Sequence, residues 1–446
     1  MTVSAGSPLA ELFLVDHDFA LVDRAVGSLE TKVPQGVYKV KATLGEAMTE
    51  ELVVLNENRA IDLADRLQVP SPAPLEGTGL THEFHVALAA NASTNVEKSA
   101  GQGAQVMIVS RRYSSEERPA TEADARSAQV APLAEVSLQS DDGETILDLA
   151  GQSGWDPVAG RTVELEPGSY TLHWRHHAGP PLEQTVHAVE GWQTQVFLLE
   201  EAEGPDVALR NKVSILMSKE GFNPHSPQLL LAEQARTALA DERKVADVQN
   251  NALFAKFENP MLGLFGAHLM LLGRDALKEA TEARAAEPAI AEQPQAPLDF
   301  DQALFNEAVA NLRSLLGEDH PDVVALSTKA TDVERDSIRP IEAPPMLWRS
   351  WLLLIEASNR WPDLVPVGIW RDTARVLPLR PFFTWSPEAE EGDATAELEM
   401  ARLMKRTVDE AAGAAASAAA DSAQKELSGT MLAPRAAIEE LIRNVS

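Results

Sequence analysis

"LEPGSYTLHW", residues 165–174, decides the fold, because the chain has already used the same phrase once, as "VPQGVYKVKA" at 33–42. Gly36, Tyr38 and Val40 correspond to Gly168, Tyr170 and Leu172, and Glu51 corresponds to Glu183, all at an offset of 132 residues. A second pair of phrases precedes each copy: "LAELFL" at 9–14 and "LAEVSL" at 133–138. A glycine that supplies positive φ in a tight turn, followed by a tyrosine and an aliphatic residue two places apart, starts a strand with both large side chains on one face. The chain therefore carries two related β units.

Around the first copy, "AELFLVDHDFALV", "GVYKVKATL" and "EELVVLNENRAIDL" alternate with period two and read as antiparallel strands. "THEFHVALAA" (81–90) and "AQVMIVSRRY" (104–113) read as a further hairpin. "PSPAP" (70–74) and the polar run 114–132 read as linkers. The Pro/Gly-x-Tyr-x-aliphatic hairpin resembles the small β-sandwich modules of the PEGA and carboxypeptidase-regulatory-like type. That resemblance implies folded binding or spacer units.

After "EEAEGPD" (200–206) the pattern changes to helical periodicity. Ser226 and Pro227 form a cap and first position for a helix running towards Phe257. Asp301 opens another, with Leu304, Phe305, Ala308, Leu312, Leu315 and Leu316 on one stripe that ends at Gly317. Residues 281–298, rich in Ala, Pro and Glu, read as a mobile tether, and 396–427 as an exposed helix with few large apolar residues. The expected fold is α+β multidomain, with N-terminal antiparallel β-sandwich modules followed by an all-α helical domain. The expected boundaries are 1–113 for the first module, 114–132 for a linker, 133–203 for the second module and 204–446 for the helical domain.

Within the helical part, "ENPMLGLFGAHLMLLG" (258–273) is the least polar stretch. Its apolar run from Met261 to Leu272 is too short to cross a bilayer, which takes about 20 residues. Gly263, Gly266 and Ala267 leave a face on which another backbone can come close, so a buried core helix is expected, with His268 as a satisfied core histidine.

The chain holds 68 acidic and 38 basic residues, a formal charge of −30 that repels phosphate backbones and anionic lipid surfaces. Neither nucleic acid nor, for the intact chain, a membrane is an expected partner. Cysteine is absent, which removes disulfides, thiolate zinc sites and cysteine nucleophiles together. The first residues lack a basic region ahead of their apolar ones, and Asp16, His17 and Asp18 interrupt the run, so no signal peptide is expected and a cytoplasmic location follows.

Histidines in "HWRHH" (His173, His176, His177) and "THEFH" (His82, His85) are split between strand faces and lack acidic residues at chelating spacing, so no metal site is assigned. No G-x-S-x-G elbow or phosphate-binding glycine loop occurs, and neither catalytic residues nor a cofactor are assigned. An unrecognised Ser/His/Asp set is the enzymatic alternative.

Residues 343–385 stand out because five of the eight tryptophans lie there, and five arginines face three acids. Tryptophan and arginine dominate interface hot spots, since both bury large areas and stack. Trp348, Arg349, Trp361, Trp370, Arg371 and Arg375 are therefore the candidate partner-binding residues. The competing reading makes the same segment a helical core, with Trp348, Leu352 and Ile355 inside and Arg349 and Arg360 outside. "FENPMLGLFGAHLMLL", "GEDHPDVVAL" and "PPMLWRSWLLLIEAS" together resemble an uncharacterised bacterial helical family found beside caspase-like or CHAT peptidases in defence operons. This implies an adaptor, accessory partner or proteolytic target of such a peptidase. A protease-activated effector, whose 261–272 helix acts on membranes after cleavage at the tether, is the alternative.

Overall fold

The computed structural model describes residues 1–5, 10–18, 20–44, 47–63, 71–75, 83–113, 135–149, 158–175, 181–201, 212–242, 246–286, 300–373, 376 and 379–387. The 114–132 linker, the 396–427 segment, His82, His176, His177 and Arg375 lie outside them. The architecture is α+β: β-sheets come first and a helical bundle follows.

Among the described residues, seven strands form the first module: β1 (Thr2–Ser4), β2 (Glu11–Val15), β3 (Leu21–Val26), β4 (Ser28–Glu30), β5 (Gly36–Leu44), β6 (Ala47–Leu55) and β7 (Ala60–Asp62). They make one sheet in the order β3-β2-β5-β6 and another in the order β4-β1-β7. After helix α1 (Glu83–Thr94) come β8 (Val96–Ala100), β9 (Ala104–Tyr113), β10 (Glu135–Gln139), β11 (Thr145–Asp148), β12 (Val158–Leu165), β13 (Gly168–Arg175), β14 (Pro181–Ala188), β15 (Gln193–Glu201) and β16 (Lys212–Ser218). Their sheets run β11-β10-β13-β14 and β16-β15-β9-β12-β8.

The second module repeats the first strand for strand. β2, β3, β5 and β6 become β10, β11, β13 and β14, while β4-β1-β7 becomes β12-β9-β15, with β8 and β16 added at the edges. In both, the central strand is antiparallel to one neighbour and parallel to the other. The register agrees as well: Leu14 lies opposite Val40 as Leu138 lies opposite Leu172. Tyr38 donates its hydroxyl proton to the carbonyl of Pro34 at 2.9 Å, and Tyr170 donates to that of Glu166 at 2.8 Å.

Several expectations need correction. Lys41 pairs with Glu50 where His173 pairs with Glu183, so Glu50 rather than Glu51 is the counterpart of Glu183; the connection in the second module is one residue longer. Gly36 does not take a positive φ. The ring of Tyr38 folds back over it, 3.5 Å from where a Cβ would stand.

Residues 83–94 are helical rather than half of a hairpin, and 104–113 pairs with β12 and β15. Alanine-rich sequence favours the helix, and Gly160 of β12 admits it: a Cβ there would sit 2.9 Å from Leu88 and 3.3 Å from Ala92. β9 is the central strand of the sheet that also holds β12 and β15. β16 pairs with β15 and is covered on both faces.

"PSPAP" is no exposed linker where it is described. Ser71, Ala73 and Leu75 are buried. Prolines bring no N–H to satisfy, so such a segment needs partners mainly for its carbonyls, and Arg111 supplies them at Ser71 and Pro72.

The helical half comprises α2 (Pro227–Ala240), α3 (Ala246–Phe254), α4 (Pro260–Ala286), α5 (Gln302–Leu316), α6 (Pro321–Ser327), α7 (Trp348–Ser358) and α8 (Val367–Asp372). Asp301 caps α5 through Leu304 N–H at 3.0 Å, and Gly317 ends it at φ 100°. Helix α4 is the axis of the bundle: residues 261–271 are all buried, and α2, α3, α5 and β16 pack around it. It runs on to Ala286, so the first six residues of the expected tether are helical. No helix among the described residues is long and apolar enough to cross a membrane.

Candidate functional site

The aromatic segment divides between a core and a surface. Phe383 is the centre of the core part: Trp351 stacks on it at 4.7 Å, while Trp348 and Trp385 lie 6.0 and 5.6 Å away. Trp370 packs on Trp351 at 4.8 Å from the outer side. Trp348 is 8% exposed and Trp351 and Trp385 are buried too, so these rings support the surface instead of forming it. Arg349 turns inward to Asp275 at 3.2 Å instead of facing out, and burial lowers its pKa.

Other side chains of this segment remain accessible. Trp361 and Trp370 are half-buried, while Arg360 and Arg371 are exposed, as is Val367 at 75%. The guanidinium of Arg335 lies 4.7 Å over the Trp361 ring and donates to the Ile338 carbonyl at 2.8 Å, so each group restrains the other. Arg335 and Val367 escaped sequence reasoning: Arg335 lies outside the tryptophan-rich segment, and an isolated valine carries no signal.

Elsewhere in the bundle, Asp322, Ser350 and His268 come together, all fully buried. Asp322 accepts from the backbone N–H groups of Met346 and Leu347 at 2.8 and 3.0 Å and is also hydrogen-bonded by Ser350. Since the Ser350 hydroxyl donates to Asp322, its oxygen accepts from Nε2–H of His268 at 2.8 Å. His268 Nδ1 then faces the interior with no hydrogen-bond partner among the described residues. A hydrolytic triad needs the carboxylate on the histidine and the serine open to substrate. Here the serine sits between the other two and the set is sealed, which makes it a clamp tying α4, α6 and α7. Burial pushes Asp322 up to about 6 and His268 down to about 3.

A second buried hub joins the sheets to the helices. Glu233 of α2 accepts from Ser71 at 2.7 Å, from Ser214 of β16, and from Arg236. Arg111 of β9 donates to the 71–72 carbonyls and approaches Nδ1 of His85 at 3.2 Å; burial lowers its pKa to about 10, opposed by the charge of Glu233. His173 lies 3.6 Å from Glu183. Among the described residues no group of three or more His, Cys, Asp or Glu is placed to hold a metal ion. A cleft of about 340 Å³ between α1 and β12 is lined by Asn91, Asn95, Glu97 and Arg161, whose polar groups bond to one another.

No protein-family model matches the chain, and no curated protein matches it.

Proposed function

We propose that this protein is a non-enzymatic adaptor or accessory protein of a bacterial peptidase-linked defence system, acting in the cytoplasm. It binds protein partners, a caspase-like or CHAT peptidase among them, through its β-modules and the face formed by Trp361, Val367, Trp370 and Arg371. The observation that carries this reading is that half-buried Trp370 packs on Trp351 and Arg335 lies over half-buried Trp361, while Arg360 and Arg371 are exposed. Such pre-organised Trp/Arg anchors lose little entropy on binding. The sealed Asp322–Ser350–His268 set fits a structural role better than a catalytic one.

Affinity capture with the full chain as bait tests it, comparing wild type with Trp370→Ala and Arg371→Glu. Recovery of a specific peptidase should fall at least about tenfold in both variants, roughly the loss of one hot-spot contact. Equal recovery would remove this face from the proposal. The effector alternative requires α4 to leave a core that encloses residues 261–271; liposome leakage after cleavage between 287 and 298 is its test.

A further inference from the structure

We infer that β6 of the first module is a docking edge for an extended, uncharged, aromatic-bearing segment of a protein partner. The inference deepens the adaptor reading and rests on it, but uses a different surface from Trp361 and Trp370.

In the second module the outer edge of β14 is occupied by the chain's own segment around Trp385. Glu183 N–H donates to the Trp385 carbonyl at 2.7 Å, Trp385 N–H donates to the Glu183 carbonyl at 3.0 Å, and the indole N–H reaches the Glu183 carboxylate at 2.8 Å. The backbone of Glu183 therefore points away from β13, as do its neighbours two residues on. By register Glu50 is the equivalent residue of β6, which places the edge groups of Glu50, Leu52 and Val54 outward. β6 closes its sheet, and no described strand pairs with its outer side.

Natural sheets blunt such edges with proline, bulges or short strands. β6 runs for nine residues in unbroken register with β5 and contains no proline. Its inward residues Val53 and Leu55 fill the core, whereas Leu52 is 71% and Val54 52% exposed. Val37 opposite Val54 is exposed as well, and the row continues from Leu52 through Lys39 and Val15 to exposed Leu21. Lys39 is already paired with Glu50, and Arg24 with Glu11 at 2.9 Å while lying over Phe13. The face thus offers aliphatic surface among compensated charges, beside an edge with outward backbone groups at two-residue spacing.

A helix cannot use that edge, but an extended segment with large side chains at alternate positions can. The segment on β14, Phe382-Phe383-Thr384-Trp385, has this character: three aromatic rings, of which Phe383 and Trp385 lie two residues apart, and no charge. The same chemistry fits β6, where Glu50 would take the indole N–H.

A labelled peptide of sequence PFFTWSP, that of residues 381–387, titrated into the full chain and followed by fluorescence anisotropy, tests the inference. Saturable binding is expected for the wild type. Leu52→Asp and, separately, Leu52→Pro should weaken it by about tenfold or more, because the proline removes only an outward N–H. Trp370→Ala should bind the peptide as the wild type does, so failure at β6 and failure of the Trp370 surface are distinguished. Melting curves confirm that each variant is folded. Absence of saturable binding by the wild type, or equal binding by Leu52→Asp, would overturn the inference. So would a concentration-dependent dimer in sedimentation that Leu52→Asp dissolves, since β6 would then belong to a second copy.

Discussion

Glu233 and Arg236, one turn apart on α2, form an ion pair at 3.1 Å in which the carboxylate is completely shielded from solvent. The same carboxylate holds Ser71 and Ser214, so one side chain fastens the 71–75 segment and β16 to the first helix of the bundle. Removing it leaves Arg236 and Arg111 as buried cations without their main counter-charge. Glu233→Ala should therefore destabilise the protein by about 3–5 kcal/mol. Glu233→Gln keeps some hydrogen bonding and should cost about 1–3 kcal/mol. Urea unfolding monitored by tryptophan fluorescence measures both, and equal small losses would show that the hub contributes little.

The paired tyrosines give an internal comparison. Tyr38 and Tyr170 donate to the carbonyl four residues earlier in their respective modules at nearly equal distance. Substituting phenylalanine removes that bond and little else, so Tyr38→Phe and Tyr170→Phe should each cost about 1 kcal/mol. A large cost at one site and none at the other would mean that the two corners are not equivalent in energy, despite their shared topology.

Acidification should weaken the fold. Burial lowers His187 to about 4 and His268 to about 3, and depresses His320 well below its usual 6.5, with His187 adding to the effect at His320 and Arg349 at His268. An unfolded histidine takes up a proton near 6.5 and these folded ones do not, so their contribution is present above 6.5 and is lost as pH falls towards the folded values. Asp322 acts oppositely: raised by burial from 3.8 to about 6, it holds a proton in the fold that the unfolded chain has released, and falling pH through that window adds stability. Three histidines outweigh one carboxylate, at roughly 1.4 kcal/mol per group per pH unit. The urea midpoint should drop between pH 7 and 5, less steeply in His268→Gln. A midpoint that is flat or rises over that range would contradict this account.

The duplicated sheets were legible because their signals are local. Gly36 with Tyr38 and Gly168 with Tyr170 mark strand starts, and period-two alternation sets which residues face inward. The buried hub was not legible, since Ser71 and Glu233 are 162 positions apart and nothing near either residue announces the other. For the same reason "PSPAP" reads as a linker by composition but is held inside by Arg111. Alternating residues at 84, 86 and 88 imitate a strand, and only packing against Gly160 shows that the helical preference of the alanines prevails. In the aromatic segment, composition marked the right region, but which tryptophans face out depends on their distance from Phe383.

Helix α4 supplies a test of interior packing in which local propensity and tertiary contact oppose each other. A Cβ on Gly263 would lie 2.8 Å from both Leu312 Cδ2 and Lys256 Cβ, and one on Gly266 would lie 2.9 Å from Leu253 Cγ and 3.1 Å from its backbone nitrogen. Alanine gains about 1 kcal/mol over glycine in an unobstructed helix, but these contacts force neighbouring elements apart. Gly263→Ala and Gly266→Ala should each lower stability by about 1–3 kcal/mol. Gly368 in α8 is the control: a Cβ there meets nothing within 4 Å among the described residues, so Gly368→Ala should be neutral or stabilising by up to about 1 kcal/mol. If all three substitutions stabilise the protein in chemical unfolding, α4 is not clasped as closely as its surroundings imply, and its release from the bundle becomes energetically accessible.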